Sequence, residues 1–300
     1  ETPYVSRGEK NITITTEAFD VIEGLSVNSP PRITFIKIDD SFSEPSNEID
    51  LFAGATNFVF CNATIIDFDG EEDFLFNSVK FYHNTSSFFS LDAKRNHYTN
   101  ESCFIDKSFG DENEIFVSCK FEVFYYASPG EWFCNFSFSD FSLKNFSFWN
   151  TTKVNELLAI EVENTLNYGP LIADTISNEK ILNITNLGNV EINLSLYGYA
   201  ETPEDGFSFK CTNGATIPIY EQKYNLTDSN PSINTKEELN EKYINLTSSI
   251  KIKKFELSPR ELDDINDAIK PTFWRVYVPP LISGTCTGNI VFGAVYSPEN

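Results

Sequence analysis

Asp67-Phe68-Asp69-Gly70-Glu71-Glu72-Asp73 is the densest acidic stretch of the chain. Hard oxygen ligands at alternating positions around a glycine turn are the kind Ca2+ takes. The ligand order of an EF-hand is missing, however, and Asp-Gly is also a common hairpin turn. The sequence is therefore expected to hold no metal, with Asp67, Asp69 and Asp73 as the ligands if Ca2+ binds after all. Other carboxylates are plentiful enough for some pair to be spaced for glycoside hydrolysis. Nothing marks one pair over another, and no histidine, serine or cysteine nucleophile motif accompanies them. His83 and His97 both sit among polar residues. The chain thus reads as a non-enzyme, with no catalytic residue and no cofactor.

The six cysteines have no C-x-x-C spacing and no nearby histidine, which argues against a metal or redox centre and for three disulfides made in an oxidising compartment. Six cysteines allow about 15 pairings. Cys61 and Cys134 each alternate with apolar residues, at a separation like that of the inter-sheet bridge of an immunoglobulin-type sandwich. Cys103 and Cys119 flank the turn-like segment 108–113, as a bridge across one hairpin would. Cys211 shares a face with Phe207 and Phe209, and Cys286 with Ile290 and Phe292. Those observations favour Cys61–Cys134, Cys103–Cys119 and Cys211–Cys286.

Asn-x-Ser/Thr occurs at Asn11, Asn62, Asn84, Asn100, Asn135, Asn145, Asn150, Asn183, Asn193, Asn225 and Asn245. That is about twice the chance frequency. In a strand, alternate side chains face opposite sides, so a glycan must share parity with the outward residues. In 131–139, Trp132, Cys134, Phe136 and Phe138 oppose Asn135; in 181–186, Leu182 and Ile184 oppose Asn183; in 191–199, Ile192, Leu194 and Leu196 oppose Asn193. Asn62 instead shares parity with Phe58, Phe60 and Ile66, and is expected to be bare. The other ten are expected to carry N-linked glycans.

These residues need a scaffold of strands. Short alternating segments broken by Gly, Pro, Asn and Asp turns are the mark of sandwiches, not of βαβ units. The reading is all-β: two immunoglobulin-like β-sandwich domains in tandem, over 23–163 and 164–300, behind an N-terminal strand arm over 1–22. The boundary is placed where the apolar strand 157–162 gives way to Asn164, Asn167, Gly169 and Pro170. Ser258-Pro259-Arg260-Glu261 has the form of a capping box with proline at the first helical position, and Pro271 would end that helix. A second, shorter helix is expected over 235–243.

Composition narrows the partners. A net charge of −22, from 22 Lys+Arg against 44 Asp+Glu, leaves little to neutralise phosphates or an anionic bilayer. The apolar runs are too short for membrane insertion. Phe133, Phe141, Phe148 and Trp149 are candidates for a glycan-binding platform, against the alternative that they fill cores. Within the arm, Asn11-Ile12-Thr13-Ile14-Thr15-Thr16 alternates as a strand does. It could pair within its own domain, or add itself to an open sheet edge of another copy with Ile12 and Ile14 filling pockets.

Several stretches resemble the immunoglobulin-like modules of secreted archaeal surface proteins. They are 61–67 (CNATIID), 125–134 (YYASPGEWFC), 184–190 (ITNLGNV) and 274–279 (WRVYVP), the last followed by Gly284 and Gly288-Asn289-Ile290. These patches total 34 of the 300 residues and are similar to S-layer, adhesin and filament-subunit modules. The resemblance implies a surface location without implying an activity. Such proteins often continue into an anchor, whereas this chain stops at Asn300, which favours an assembling subunit. The expectation is a secreted, extracellular or cell-surface glycoprotein whose signal peptide has been removed. It would form a homopolymer, as a filament, pilus-like assembly, S-layer or sheath, by donor-strand exchange. The alternative is a soluble or cell-associated adhesin that binds a carbohydrate or another cell surface.

Overall fold

The computed structural model describes residues 28–40, 48–141, 145–262 and 267–296. The arm strand, with Asn11, Ile12 and Ile14, lies outside them. The first run of strands is β1 (Arg32–Asp39), β2 (Glu48–Ile49), β3 (Thr56–Ile66), β4 (Leu75–His83), β5 (His97–Asn100), β6 (Phe104–Asp106), β7 (Glu114–Phe124), β8 (Gly130–Ser139) and β9 (Asn145–Val154). They form two sheets, ordered β1-β3-β7-β6 and β2-β9-β8-β4-β5. Strict alternation builds them: in β3 and β7 every second residue is buried, including Val59, Cys61, Ala63 and Ile65 on one and Ile115, Val117, Cys119 and Val123 on the other. These face Phe81, Trp132, Cys134 and Phe136 of the other sheet in one hydrophobic cluster, where Phe81 stacks on Trp132 at 4.7 Å. The Cys61–Cys134 disulfide crosses between the sheets, and Cys103–Cys119 joins the residue before β6 to the middle of β7.

The remaining strands are β10 (Ile160–Val162), β11 (Thr175–Ile176), β12 (Lys180–Asn186), β13 (Ile192–Tyr199), β14 (Phe207–Cys211), β15 (Thr216–Pro218), β16 (Gln222–Asn225), β17 (Ile244–Asn245), β18 (Lys251–Leu257), β19 (Ile269–Val278), β20 (Cys286–Thr287) and β21 (Asn289–Val295). One sheet runs β10-β12-β19-β16-β17, with β11 also on β19; a second runs β18-β13-β21. Leu182, Ile184, Tyr224 and Trp274 of the first pack with Ile192, Leu194, Leu196 and Phe255 of the second. A small sheet, β15-β14-β20, carries Cys211–Cys286 between directly paired residues. The all-β reading therefore holds, and the chain places its core in two large clusters.

Three sequence expectations differ from the structure. The strand expected to close the first domain, at 157–162, yields β10 instead. It pairs antiparallel with β12, and its Ile160 and Val162 pack on the second cluster. Leu157 still packs on the first cluster and Leu158 already on the second, so the chain changes partners within one peptide bond. The helix expected after Ser258 is absent over 258–262. The Glu261 N–H donates to the Asp267 carboxylate at 3.2 Å, and the Arg260 carbonyl accepts from Arg95 at 3.1 Å, so tertiary partners take the groups a helix would use. Pro271, expected as a stop, lies inside β19 opposite Asn183. The pairing of β16 reaches only to Phe273, so Pro271 sits where the strand has one neighbour, a position that tolerates the missing N–H. The other helix forms as α1 (Lys236–Lys242), with a reciprocal capping box between Thr235 and Glu238.

Candidate functional site

An incompletely closed seam runs along one side of the second cluster. Strands β10 and β21 end their respective sheets, so each has an outer edge without a hydrogen-bonded strand among the described residues. On β21 the core-facing set is Ile290, Phe292 and Ala294, opposite Gly198, Leu196 and Leu194 of β13. These three pack on the cluster yet stay half-buried, as do Ile160, Val162 and Leu166 across the gap. Phe292 reaches in far enough to meet Trp274 edge-on at 5.8 Å. The cleft between the two edges measures about 640 Å3. Apolar side chains half-covered between two free strand edges are what one added strand would complete. The alternation at Ile290, Phe292 and Ala294 was visible in the sequence. That it faces β10 was not, because the sequence around 157–162 reads as the closing strand of the first module.

The acidic loop is assembled by the end of β3. Asp67 follows that strand directly, and Gly70, at φ +101°, turns the chain back through a region that a side chain would strain. One carboxylate oxygen from each of Asp67, Asp69 and Asp73 lies within 4.8 Å of the others. The sequence-predicted trio is thus brought together. Burial pushes the Asp67 carboxyl above the usual range, against a hydrogen bond from the Asp69 N–H, and the charges of Asp73, Asp69 and Asp140 push the same way.

The sequons divide by burial. Asn84, Asn145, Asn150, Asn183 and Asn245 are exposed; Asn62, Asn100 and Asn225 are half-buried. Asn135 and Asn193 are buried, which corrects the outward placement that parity gave them. Asn135 lies on the outer face of central strand β8, but Lys80 of β4 and Trp149 of β9 stand directly beside it and cover it. Asn193 sits at a register shift of the β13–β18 ladder, where Ile192, Asn193 and Leu194 are all buried. Its Oδ1 accepts from the N–H groups of Phe255 at 2.6 Å and Glu256 at 3.1 Å, a service to the bulge that has nothing to do with the outer surface.

The aromatic candidates also separate. Phe133 lies between Tyr82, stacked at 5.4 Å, and Trp149, edge-on at 5.3 Å, on the outer face of the β4–β8–β9 ribbon. Trp149 is 58% exposed, and Phe141 is exposed at the end of β8. Phe148 faces the other way and stacks on core residue Phe138 at 5.9 Å. The histidines, expected among polar surroundings, are both buried. His97 Nδ1 lies 2.9 Å from Asp92, whose carboxyl is held below its usual range: burial raises it, but hydrogen bonds from Thr99 and His97 outweigh that. Tyr82 stacks over the His97 ring.

No protein-family model matches the chain, and no curated protein matches it. Among solved structures, one described as a chaperone–tip adhesin complex vital for activation of CFA/I fimbriae biogenesis is 9% identical, over 90% of this chain and 91% of that one, with a TM-score of 0.33. The C-terminal domain of the AgI/II polypeptide BspA of Streptococcus agalactiae is 9% identical over 89% of this chain and all of that one, with a TM-score of 0.26. Likeness at that level carries no functional argument.

Proposed function

We propose that the chain is a structural subunit of an extracellular, glycosylated assembly, in which the strand over 11–16 of one copy adds to the seam between β10 and β21 of the next. The observation that carries this reading is the seam itself. Two edges unpaired among the described residues flank half-covered Ile160, Val162, Ile290 and Phe292, and the arm supplies an alternating segment with two isoleucines on one side. Burying two isoleucines contributes roughly 3 to 6 kcal/mol before the costs of association, and backbone hydrogen bonds along β21 add to it. Because donor and acceptor are different surfaces, the contact is heterologous and can repeat head to tail, as a filament requires. Three disulfides and exposed sequons fit a protein that matures and works in an oxidising, extracellular setting.

The test is deletion of residues 1–16. The truncated protein is expected to fold, retain all three disulfides and remain monomeric, while the full chain forms polymers visible by negative-stain electron microscopy. Polymers of normal appearance from the truncated protein would overturn the reading. A second reading, an adhesin that binds glycans, is favoured by the outer-face cluster of exposed Trp149 with half-buried Phe133 and Tyr82. It predicts monomers of the full chain and glycan binding that Trp149→Ala abolishes.

A further inference from the structure

The loop after β3 brings together more chain segments than a hairpin turn needs. Asp67 N–H donates to the Asn113 carbonyl at 2.9 Å, Glu71 N–H to the Glu112 carbonyl at 3.2 Å, and Asp73 N–H to the Gly70 carbonyl at 3.1 Å. Ser29 N–H donates to Asp69 Oδ2. Asp67 Oδ1 accepts from the Asp69 N–H at 3.1 Å, and Asp73 Oδ1 from the Phe141 N–H at 3.0 Å. Each of the two buried aspartates therefore has one oxygen fixed by backbone. The other oxygen of each, Oδ2, is buried and accepts no hydrogen bond. Asp67 is fully buried and Asp73 is 9% exposed.

An unpartnered carboxylate oxygen inside a protein is costly, and two in one loop compound the cost by repulsion. Among the described residues, no lysine, arginine or histidine forms a salt bridge with Asp67, Asp69 or Asp73; the nearby Lys107 pairs with Glu72 instead, at 3.1 Å. What would satisfy the site is a cation that accepts several carboxylate oxygens at once. Ligands about 2.3 to 2.6 Å from Ca2+ stand up to roughly 5 Å apart across the ion, and the three aspartate oxygens here lie within 4.8 Å of one another. With only oxygen ligands on an irregular loop, and no His or Cys among them, the donor set suits a hard, large divalent ion over Zn2+ or Cu2+.

We infer that Asp67, Asp69 and Asp73 form a Ca2+ site at the end of β3, which ties the loop to the backbone at Ser29, Asn113 and Phe141. The inference is independent of strand exchange. Sequence alone left these residues as a turn; the buried oxygens without partners are what change the reading.

The test is calorimetric titration of the full chain with CaCl2 after EDTA treatment, alongside thermal melting at constant ionic strength. One Ca2+ per chain is expected to bind, and to raise the melting temperature by on the order of 5 °C once Ca2+ exceeds its Kd about a hundredfold. Asp67→Asn and Asp73→Asn should each lose that shift, while melting no lower than wild type in EDTA because a buried repulsion is relieved. If either fails to fold, Asp69→Asn, at an exposed position, should still weaken binding at least tenfold. Glu122→Gln, an exposed acid on another strand, should leave the response intact. Absence of binding by the folded wild type at 5 mM Ca2+, roughly the weak end of extracellular sites, overturns the inference. So does a shift that survives all three aspartate substitutions, since that would be diffuse screening.

Discussion

Asn193 shows most directly what one residue can and cannot reveal in sequence. Its parity within 191–199 is that of an outward residue, and it stands in a sequon. In the fold its Oδ1 holds two backbone N–H groups of β18, and its side chain is fully buried. The alternation argument assumes an unbroken period of two, and a bulge breaks that period at one residue without leaving a local signature. Asn135 fails for another reason: parity predicts a face but not how far neighbouring strands cover it. Glycosylation is therefore expected where the asparagine is exposed in the fold. Peptide mapping of native material should find glycans at Asn84, Asn145, Asn150, Asn183 and Asn245, and unmodified peptides at Asn135 and Asn193. An occupied Asn193 would mean that the β13–β18 ladder is not formed when the glycan is added.

At the scale of elements, the strands were readable wherever one face is buried and the other is not. β3, β7 and β12 alternate almost without exception, and Cys61 of β3 and Cys119 of β7 fall on the inward set. β19 was partly hidden, because Pro271 near its start looked like the end of a helix and its middle is buried on both faces. That double burial includes Arg275, only 2% exposed. Its guanidinium donates to the carbonyls of Ser177 at 2.7 Å, Asn230 at 2.7 Å and Pro231 at 3.0 Å, and contacts the Tyr243 hydroxyl at 3.4 Å. That hydroxyl in turn hydrogen-bonds Glu179. One cation thus fastens β19 to the loop before α1 and to the tyrosine that follows it. Nothing in the sequence singles out this arginine, since its partners are carbonyls of distant segments. Arg275→Met keeps the apolar length but orphans three carbonyls. It is expected to cost on the order of 3 kcal/mol in chemical denaturation. Lys270→Met, with a single carbonyl partner on Phe255, should cost about 1 kcal/mol or less.

The whole molecule is held in register by the segment where the two clusters meet. Asn189 is buried and donates to the carbonyls of Ala127 at 3.0 Å and Asn155 at 2.9 Å, while its Oδ1 accepts from the Leu157 N–H at 2.7 Å. Gly188 beside it approaches so closely that a Cβ would stand 2.0 Å from the Leu157 carbonyl. Leu-Gly-Asn was legible only as part of a resemblance; its task, to lock the chain where it leaves the first cluster, required the fold.

The proposed assembly also requires two copies to meet. With a net charge of −22, two copies repel as they approach, and at low salt that repulsion extends beyond about 10 Å. The seam, by contrast, presents Ile160, Val162, Ile290 and Phe292, with Glu163 as the one charged residue lining it, and the arm segment 11–16 carries no charged residue. Salt should therefore act on the encounter and hardly at all on the docked strand. Polymer growth by the full chain, followed by light scattering, is expected to accelerate as NaCl rises from about 20 to about 200 mM. Depolymerisation on dilution should keep nearly the same rate over that range. The opposite pattern, growth slowed and dissociation hastened by salt, would place complementary charges at the contact and remove the apolar seam from it.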